Sequence, residues 1–250
     1  MITLLDYGAG NVRSVINAIE HLGETVKIVT TAKDIETARR LVFPGVGAFG
    51  SMMQRLRELK LIDPLREYLT EDRPFLGICL GMQALFEGSE EAPGVPGLAL
   101  FPGRVLRFDT DLSVPHIGWN GIRARQRSPL FSGLSGDERF YFVHSYHVQT
   151  DNDADVLTMT DYGYPFVSGV QRGQVVATQF HPEKSGAAGL TLLANFLTGK
   201  TLPTTPETTP ERTRLAKRIV ACLDVRANDQ GDLVVTKGDQ YDVREAGEVR

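Results

Sequence analysis

The segment FLGICLGMQ, residues 75–83, predicts a buried strand that turns sharply into a helix. An apolar run ends at Cys79, and a glycine stands two positions away on each side, at Gly77 and Gly81. This spacing is typical of a sharp turn between a buried strand and a helix, with a nucleophilic side chain at the turn. A helix N-terminus favours the thiolate, the reactive form of cysteine. The alternative is a buried core cysteine, but a glycine on each side is unusual for simple packing.

Around this segment, the first half of the chain alternates between predicted strands and helices. The apolar runs ITLLDYG, TVKIVTT, LVFPGVG and PFLGIC are separated by helical patterns, and residues 49–72 predict helical segments broken near Pro64. This alternation predicts a mostly parallel, doubly wound α/β sheet. Six further apolar runs between residues 98 and 180, joined by short turns, predict antiparallel additions to it.

Composition and charge exclude several classes of protein. Apolar residues make up 42% of the chain and charged residues 23%, which predicts a packed globular core. The net charge of −4 gives no basic footprint for nucleic acid. No apolar run reaches the ~18 residues that a membrane span needs. The two cysteines, Cys79 and Cys222, make no disulfide framework, so we expect a reducing, cytoplasmic location.

A change in composition after residue 199 predicts a domain boundary. Residues 200–214 hold three prolines and six threonines but only one large aliphatic residue, which is typical of a linker. Residues 1–199 then form one domain. Residues 215–250 open with a new apolar strand, LAKRIVACLDV, that cannot bury both of its faces alone.

A cysteine nucleophile needs a base, and the best candidate among five histidines lies in FHPEKS, residues 180–185. His181 ends an apolar strand, and Glu183 follows across Pro182, which stiffens the turn and can hold the carboxylate beside the imidazole. A single histidine is more often a packing or surface residue. The position at a strand end and the fixed carboxylate favour a catalytic base here.

The loop PGVGAFG, residues 44–50, allows two interpretations. Its glycines match G-x-G-x-x-G between a strand and a helix, which is the fingerprint of dinucleotide sites. The loop follows the third strand rather than the first, however, and the acidic residue about 20 positions on, Asp63, stands beside a proline. We therefore favour a role beside Cys79, where the loop and the backbone N–H of Leu80 would donate to an oxyanion.

Together, GICLGMQ and FHPEKS resemble the class I glutamine amidotransferases, which use a Cys-His-Glu triad. The resemblance implies that Cys79 is the nucleophile, His181 the base and Glu183 its orienter, and that glutamine is hydrolysed through a thioester. It implies oxyanion donors at Val46 and Leu80. It implies no metal and no organic cofactor. The substrate-binding residues that it implies are Gly47, Gln83, His144, Ser145 and Tyr146.

Three further motifs, LDYGAGN, HIGWN and FVHSYH, resemble the glutaminase subunits of imidazole glycerol phosphate synthases, which act in histidine biosynthesis. This resemblance spans residues 1–199. In that family ammonia passes into a cyclase barrel, which makes imidazole glycerol phosphate and an aminoimidazole carboxamide ribotide. The resemblance therefore implies a cyclase partner, with interface residues at Lys184, Trp119 and Arg218.

The end of the chain resembles the opening of that cyclase, a (β/α)8 barrel, as in the fused enzymes of fungi and plants. Within LAKRIVACLDV and GDLVVTKG, Asp224 matches a catalytic aspartate and Lys237 a lysine on the phosphate side. We expect residues 215–250 to supply one strand and one loop of an incomplete barrel. Two other functions stay open: a related hydrolase of γ-glutamyl substrates, and a scaffold that keeps the fold without activity.

Overall fold

The chain divides into two compact units, Met1–Thr208 and Thr209–Arg250. The computed structural model describes residues 1–8, 12–199, 224–227, 233–237 and 244–248, and for the last three ranges it describes the backbone alone. The predicted linker at 200–214 and Arg218 lie outside the described residues. Each unit is described below by itself.

The first unit opens with strands that alternate with helices, as the sequence predicts. The strands are β1 (Ile2–Leu4), β2 (Val26–Ile28), β3 (Leu41–Gly45) and β4 (Phe75–Cys79). The helices between them are α1 (Arg13–His21), α2 (Ala32–Glu36), α3 (Phe49–Glu58) and α4 (Ile62–Thr70). All four strands run parallel, with β1 between β2 and β3, and β3 beside β4.

The break between α3 and α4 lies earlier than the sequence suggested. It falls at residues 59–61, where Lys60 has a φ of +58°, and not at Pro64. Pro64 sits in the first turn of α4, where a helix tolerates proline because the first N–H groups have no partner within the helix.

From residue 80 to residue 199, the structure shows a short helix, eight strands and a closing helix. These are α5 (Leu80–Gln83), β5 (Arg104–Arg107), β6 (His116–Gly121), β7 (Arg123–Ala124), β8 (Arg139–His144), β9 (Tyr146–Gln149), β10 (Val156–Tyr162), β11 (Tyr164–Arg172), β12 (Val175–Thr178) and α6 (Gly186–Thr198). The main sheet has the order β2-β1-β3-β4-β12-β11-β10-β7, with β9 on β11 and β5 on β9. β6 and β8 pair in a sheet of their own.

Strand β12 joins the two halves of the main sheet. The prediction of antiparallel pairing is right for β12 against β11 but wrong for its other side, because β12 runs parallel to β4. In that register Thr178 lies opposite Ile78. The residues that follow β12 and β4 therefore emerge side by side at one edge of the sheet, which brings His181 to Cys79.

Two apolar clusters cover the two faces of the sheet, as a doubly wound fold requires. One contains buried side chains of α2, α3 and α4, such as Ile35, Met52 and Leu65. The other contains those of α1 and α6, such as Ile19 and Leu193. In the described part of the chain, no helix is both long enough and apolar enough to cross a membrane.

The described residues of the second unit, 224–227, 233–237 and 244–248, form three antiparallel strands, whereas the sequence predicts one strand and one loop. They are β13 (Asp224–Ala227), β14 (Leu233–Lys237) and β15 (Arg244–Glu248), with β14 in the middle. Most of the predicted strand LAKRIVACLDV lies outside the described residues. Asp224 begins β13 and pairs with Thr236 of β14. Lys237 ends β14 and pairs with Arg244 of β15.

Candidate active site

Cys79 occupies a strained turn between β4 and α5. Its φ is +54° and its ψ is −108°, a backbone conformation that a residue with a Cβ rarely adopts, and it is 8% exposed. Such strain is typical of functional sites, where the surrounding structure holds it. The helix that follows has only four residues, so the predicted help from a helix dipole is small, because few peptide dipoles are aligned behind the sulfur.

The glycines beside Cys79 allow close packing of the turn against the neighbouring strand. A Cβ built on Gly81 would lie 2.0 Å from the carbonyl oxygen of Phe43 in β3. A Cβ on Gly77 would lie 2.8 Å from the carbonyl oxygen of Gly81. The motif thus has the physical role that the sequence predicts, since any side chain at Gly81 would push β3 away from the turn.

His181 and Glu183 lie beside the sulfur on the segment that follows β12. The backbone N–H of His181 donates to the carbonyl oxygen of Tyr141 at 2.9 Å, which fixes the segment to β8. The Nδ1 of His181 lies 2.8 Å from Oε1 of Glu183, and both side chains are buried. Since an ionised carboxylate only accepts, Nδ1 carries the proton, and Nε2 is the nitrogen left for the Cys79 sulfur.

The charges around His181 favour its protonated form. Burial alone lowers the pKa of this imidazole, but the hydrogen-bonded Cys79 sulfur and the Glu183 carboxylate outweigh burial and raise it above its ordinary value. A cysteine beside a protonated histidine is held in its nucleophilic form. The arrangement can therefore support nucleophilic attack followed by proton donation.

The two predicted oxyanion donors, the N–H groups of Leu80 and Val46, differ in their hydrogen bonding. The N–H of Leu80, the first residue of α5, has no partner within the helix. The N–H of Val46 instead donates to the hydroxyl of Tyr7 at 3.0 Å, and that hydroxyl donates to the carbonyl oxygen of Val46 at 2.5 Å. Gly47, next in the loop, is exposed and has a φ of +94°, a conformation open to glycine.

The side-chain amide nitrogen of Gln83 is hydrogen-bonded within the protein. Nε2 of this buried side chain donates to the carbonyl oxygen of Tyr146 and to Oε1 of Gln179, each at 3.0 Å. Tyr146 begins β9, and Ser145 is the single residue between β8 and β9. Both amide protons of Gln83 are thus used, which leaves its Oε1 as the atom that could meet a substrate.

Both ring nitrogens of His144, another predicted substrate-binding residue, have partners within the protein. Nδ1 lies 2.7 Å from the carbonyl oxygen of Tyr146, and Nε2 lies 3.1 Å from Nδ1 of His116. The Nε2 of His116 lies 3.4 Å from Nδ2 of Asn120. Burial lowers the pKa of His116 to about 4 and that of His144 to about 3, so both rings are neutral at pH 7. His144 therefore holds Tyr146 at the start of β9.

Comparison with known proteins identifies the family of this site. The family model for class-I glutamine amidotransferases matches residues 3–199. The chain belongs to the class I glutamine amidotransferases. Solved structures agree at the level of the fold: a crystal structure of a glutamine amidotransferase has a TM-score of 0.63 at 22% identity, covering 79% of this chain and 98% of its own.

Two curated relatives narrow the branch of the family. The chain is 50% identical over 197 residues to the imidazole glycerol phosphate synthase subunit HisH of Deinococcus radiodurans, covering 78% of this chain and 92% of the relative. It is 52% identical over 249 residues to the chloroplastic imidazole glycerol phosphate synthase hisHF of Arabidopsis thaliana, covering 98% of this chain. The chain spans 42% of the length of that fused relative.

Of the predicted interface residues of this amidotransferase, Trp119 lies on β6, in the sheet formed by β6 and β8, and Lys184 lies on the segment after β12. Trp119 is 50% exposed and its neighbour Ile117 is 60% exposed, which is unusual for large apolar side chains. The ring of Trp119 packs edge-on against Tyr141, with 6.1 Å between centroids. Nζ of exposed Lys184 lies 6.0 Å from the same Tyr141 ring. Lys184 and Trp119 thus belong to one exposed group.

Three contributors to the amidotransferase site were missed by sequence reasoning: Gln179, Tyr7 and His116. Gln179 lies two residues before His181, and Tyr7 follows β1 at the edge where β3 and β4 also end. That shared edge is the signal that could have found them, since ends of parallel strands meet. Among the residues that the structure describes, no group of three or more His, Cys, Asp or Glu side chains is placed to hold a metal.

Proposed function

We propose that the first unit hydrolyses the side-chain amide of glutamine to glutamate and ammonia, with Cys79 as nucleophile, His181 as acid and base, and Glu183 as orienter. The observation that carries this proposal is the sulfur at a strained turn, with its charge acting on a buried imidazole whose Nδ1 lies 2.8 Å from a buried carboxylate. Membership of the amidotransferase family supports the choice of substrate.

The chemistry follows from these three groups. The Cys79 thiolate attacks the amide carbon, a C–S bond forms and the carbonyl electrons move to oxygen. His181 then gives its Nε2 proton to the amide nitrogen, the C–N bond breaks and ammonia leaves a thioester. Water attacks the thioester while His181 takes its proton, the C–S bond breaks and glutamate is released.

The negative oxygen of each tetrahedral intermediate needs donors. The N–H of Leu80 is available as the first group of α5. The second donor in this proposal is the N–H of Val46, which must first leave the Tyr7 hydroxyl. Loss of a single oxyanion donor lowers kcat by about 10²–10³ in a serine protease. While the N–H of Val46 donates to Tyr7, we therefore expect glutamine hydrolysis to be slow.

Covalent labelling tests this proposal. An electrophilic glutamine analogue should add its mass to Cys79, and the Cys79→Ala variant should lose both the label and glutamine hydrolysis while staying folded. Cys222 serves as the internal control within the same chain. A label on Cys222 alone, or hydrolysis that survives in Cys79→Ala, would refute the assignment. Preference for γ-glutamyl peptides over glutamine would favour the related hydrolase.

We also propose that the ammonia passes to a cyclase barrel of the imidazole glycerol phosphate synthase type, which forms imidazole glycerol phosphate and aminoimidazole carboxamide ribotide. Relatives with that name at 50% and 52% identity support this. In this proposal residues 200–214 are a linker, residues 215–250 are the start of the barrel with Arg218, Asp224 and Lys237, and the enzyme acts in the cytoplasm, where Cys79 stays a free thiol.

The exposed group around Trp119 is the docking surface in this proposal. Replacing Trp119 by alanine should weaken binding of a separately expressed cyclase by about tenfold or more, because exposed tryptophans at interfaces are often hot spots. Leu112→Ala is the matched control, since Leu112 is 47% exposed but lies outside the β6–β8 sheet. Equal weakening in both variants, measured by titration calorimetry, would contradict this placement.

A further inference from the structure

Gln179 lies directly beside the candidate nucleophile and is completely buried, with 0% of its surface exposed. It follows β12, and its backbone N–H donates to the carbonyl oxygen of Ser168 in β11 at 2.9 Å, which fixes its position. Its side-chain Nε2 lies 3.5 Å from the Sγ of Cys79. This is hydrogen-bonding distance to sulfur, so the orientation of the Gln179 amide decides what the sulfur meets.

A backbone carbonyl determines that orientation. The carbonyl oxygen of Tyr146 can only accept, so the atom of Gln83 that lies 3.0 Å from it must be the nitrogen. The same Gln83 nitrogen lies 3.0 Å from Gln179, where its second proton requires an acceptor, and this places Oε1 of Gln179 there. The remaining end of the Gln179 amide is Nε2, and this end faces Cys79.

From this chain of hydrogen bonds we infer that Gln179 donates a hydrogen bond to the Cys79 sulfur and thereby stabilises its thiolate. A hydrogen bond to the charged form of an acid favours that form. The four-residue α5 offers little dipole stabilisation, so a fixed side-chain donor has a correspondingly larger role. Gln83 acts one step further away, as a positioning residue that prevents the Gln179 amide from rotating. The functional consequence rests on the proposed role of Cys79 as nucleophile.

The rate at which iodoacetamide alkylates Cys79, followed against pH in the 250-residue chain, tests this inference. Peptide mass spectrometry separates Cys79 from Cys222. In Gln179→Leu the inflection of the alkylation rate should move up by about one pH unit, because a donor to a charged group is lost. Gln179→Glu keeps the size and the acceptor for Gln83 but faces the sulfur with an ionised oxygen, so its inflection should rise at least as far.

Thr178→Val is the matched control. Thr178 is also completely buried and neighbours Gln179, and its hydroxyl donates to the carbonyl oxygen of Phe180 at 2.9 Å, away from Cys79. This variant loses a buried hydrogen bond but should leave the inflection unchanged. If Gln179→Leu does not fold, Gln179→Glu still decides. An inflection that stays at the wild-type pH in the folded Gln179 variants overturns the inference.

The proposed glutaminase activity can fail separately from this inference. Absence of glutamine hydrolysis in the wild type, even with a cyclase present, together with a shifted inflection in Gln179→Leu would refute the proposed function and support the hydrogen bond. Hydrolysis by the wild type together with an unshifted inflection would refute the hydrogen bond and support the function.

Discussion

The hydroxyl of Tyr7 holds both backbone groups of Val46: it accepts from the N–H at 3.0 Å and donates to the carbonyl oxygen at 2.5 Å. Tyr7 itself is 4% exposed, and burial raises its pKa to about 12, so the hydroxyl stays protonated at all working pH values. The structure therefore shows the loop at residues 44–50 in a state where the N–H of Val46 is already used.

Removing this hydroxyl should raise the resting activity. In Tyr7→Phe the Val46 peptide loses its partner, and the loop can turn the N–H toward Cys79 at lower cost, since Gly47 tolerates unusual backbone angles. One hydrogen bond has a net value of about 1 kcal/mol, so we expect about fivefold faster glutamine hydrolysis without a cyclase. Tyr68→Phe is the control, because buried Tyr68 donates to the carbonyl oxygen of Pro74 instead. Unchanged or slower hydrolysis by a folded Tyr7→Phe would contradict the expectation.

Replacing Glu183 should shift the pH dependence of hydrolysis. Protonated His181 is the acid that releases ammonia in the proposed mechanism, so kcat/KM should fall as pH rises through the pKa of His181. The Glu183 carboxylate helps to raise that pKa, so in Glu183→Gln the alkaline limb should move to lower pH. Glu58→Gln, which changes an exposed carboxylate, should leave the limb in place. An unmoved limb in Glu183→Gln, or higher activity in His181→Ala than in Glu183→Gln, would reverse the assigned roles.

His116 and His144, the buried histidines whose pKa values are lowered by burial, should make the protein less stable in mild acid. Burial lowers the pKa of His116 to about 4, whereas an unfolded histidine titrates near 6.5. Below pH 6.5 the unfolded chain therefore binds a proton that the folded chain refuses, and stability is lost as pH falls toward 4. We expect a loss on the order of 1–2 kcal/mol between pH 7.5 and pH 5 in urea titrations.

His116→Asn should be less stable than the wild type at pH 7.5 but should lose less stability on acidification, because one such group is gone. His21→Asn, a change at an exposed position, should keep the wild-type slope. Carboxylates such as Asp34, whose pKa is lowered by its hydrogen bonds, titrate mainly below pH 5. They therefore contribute little to the change in stability between pH 7.5 and pH 5. Equal slopes in all three proteins would show that His116 does not carry the effect.

Gly81 should tolerate no side chain. A Cβ there would lie 2.0 Å from the Phe43 carbonyl oxygen, which belongs to a central strand and cannot move freely. We expect Gly81→Ala to cost several kcal/mol or prevent folding, on the order of the largest single-residue effects. Gly88→Ala is the comparison, because its nearest contact would be 3.4 Å away. Similar thermal unfolding midpoints for the two variants would contradict the close packing at the turn.

The sequence alone determined the features that depend on neighbours along the chain. The turn at Cys79 requires glycine at 77 and 81, and the imidazole–carboxylate pair of His181 and Glu183 spans only two residues, so a local pattern suffices for both. The sequence also predicts the alternation of β1 to β4 with helices, because the apolar periods of strands and helices are local properties.

Tertiary structure decided every relationship that depends on which strands are neighbours. The chain of hydrogen bonds from Tyr146 through Gln83 and Gln179 to Cys79 joins residues up to 100 positions apart. It forms because β12 lies parallel beside β4. The contact between Tyr7 and Val46 exists because β1 and β3 are adjacent. Periodicity indicates that a strand forms and which of its faces is buried, but strand order is set by packing of the whole sheet, which no local pattern contains.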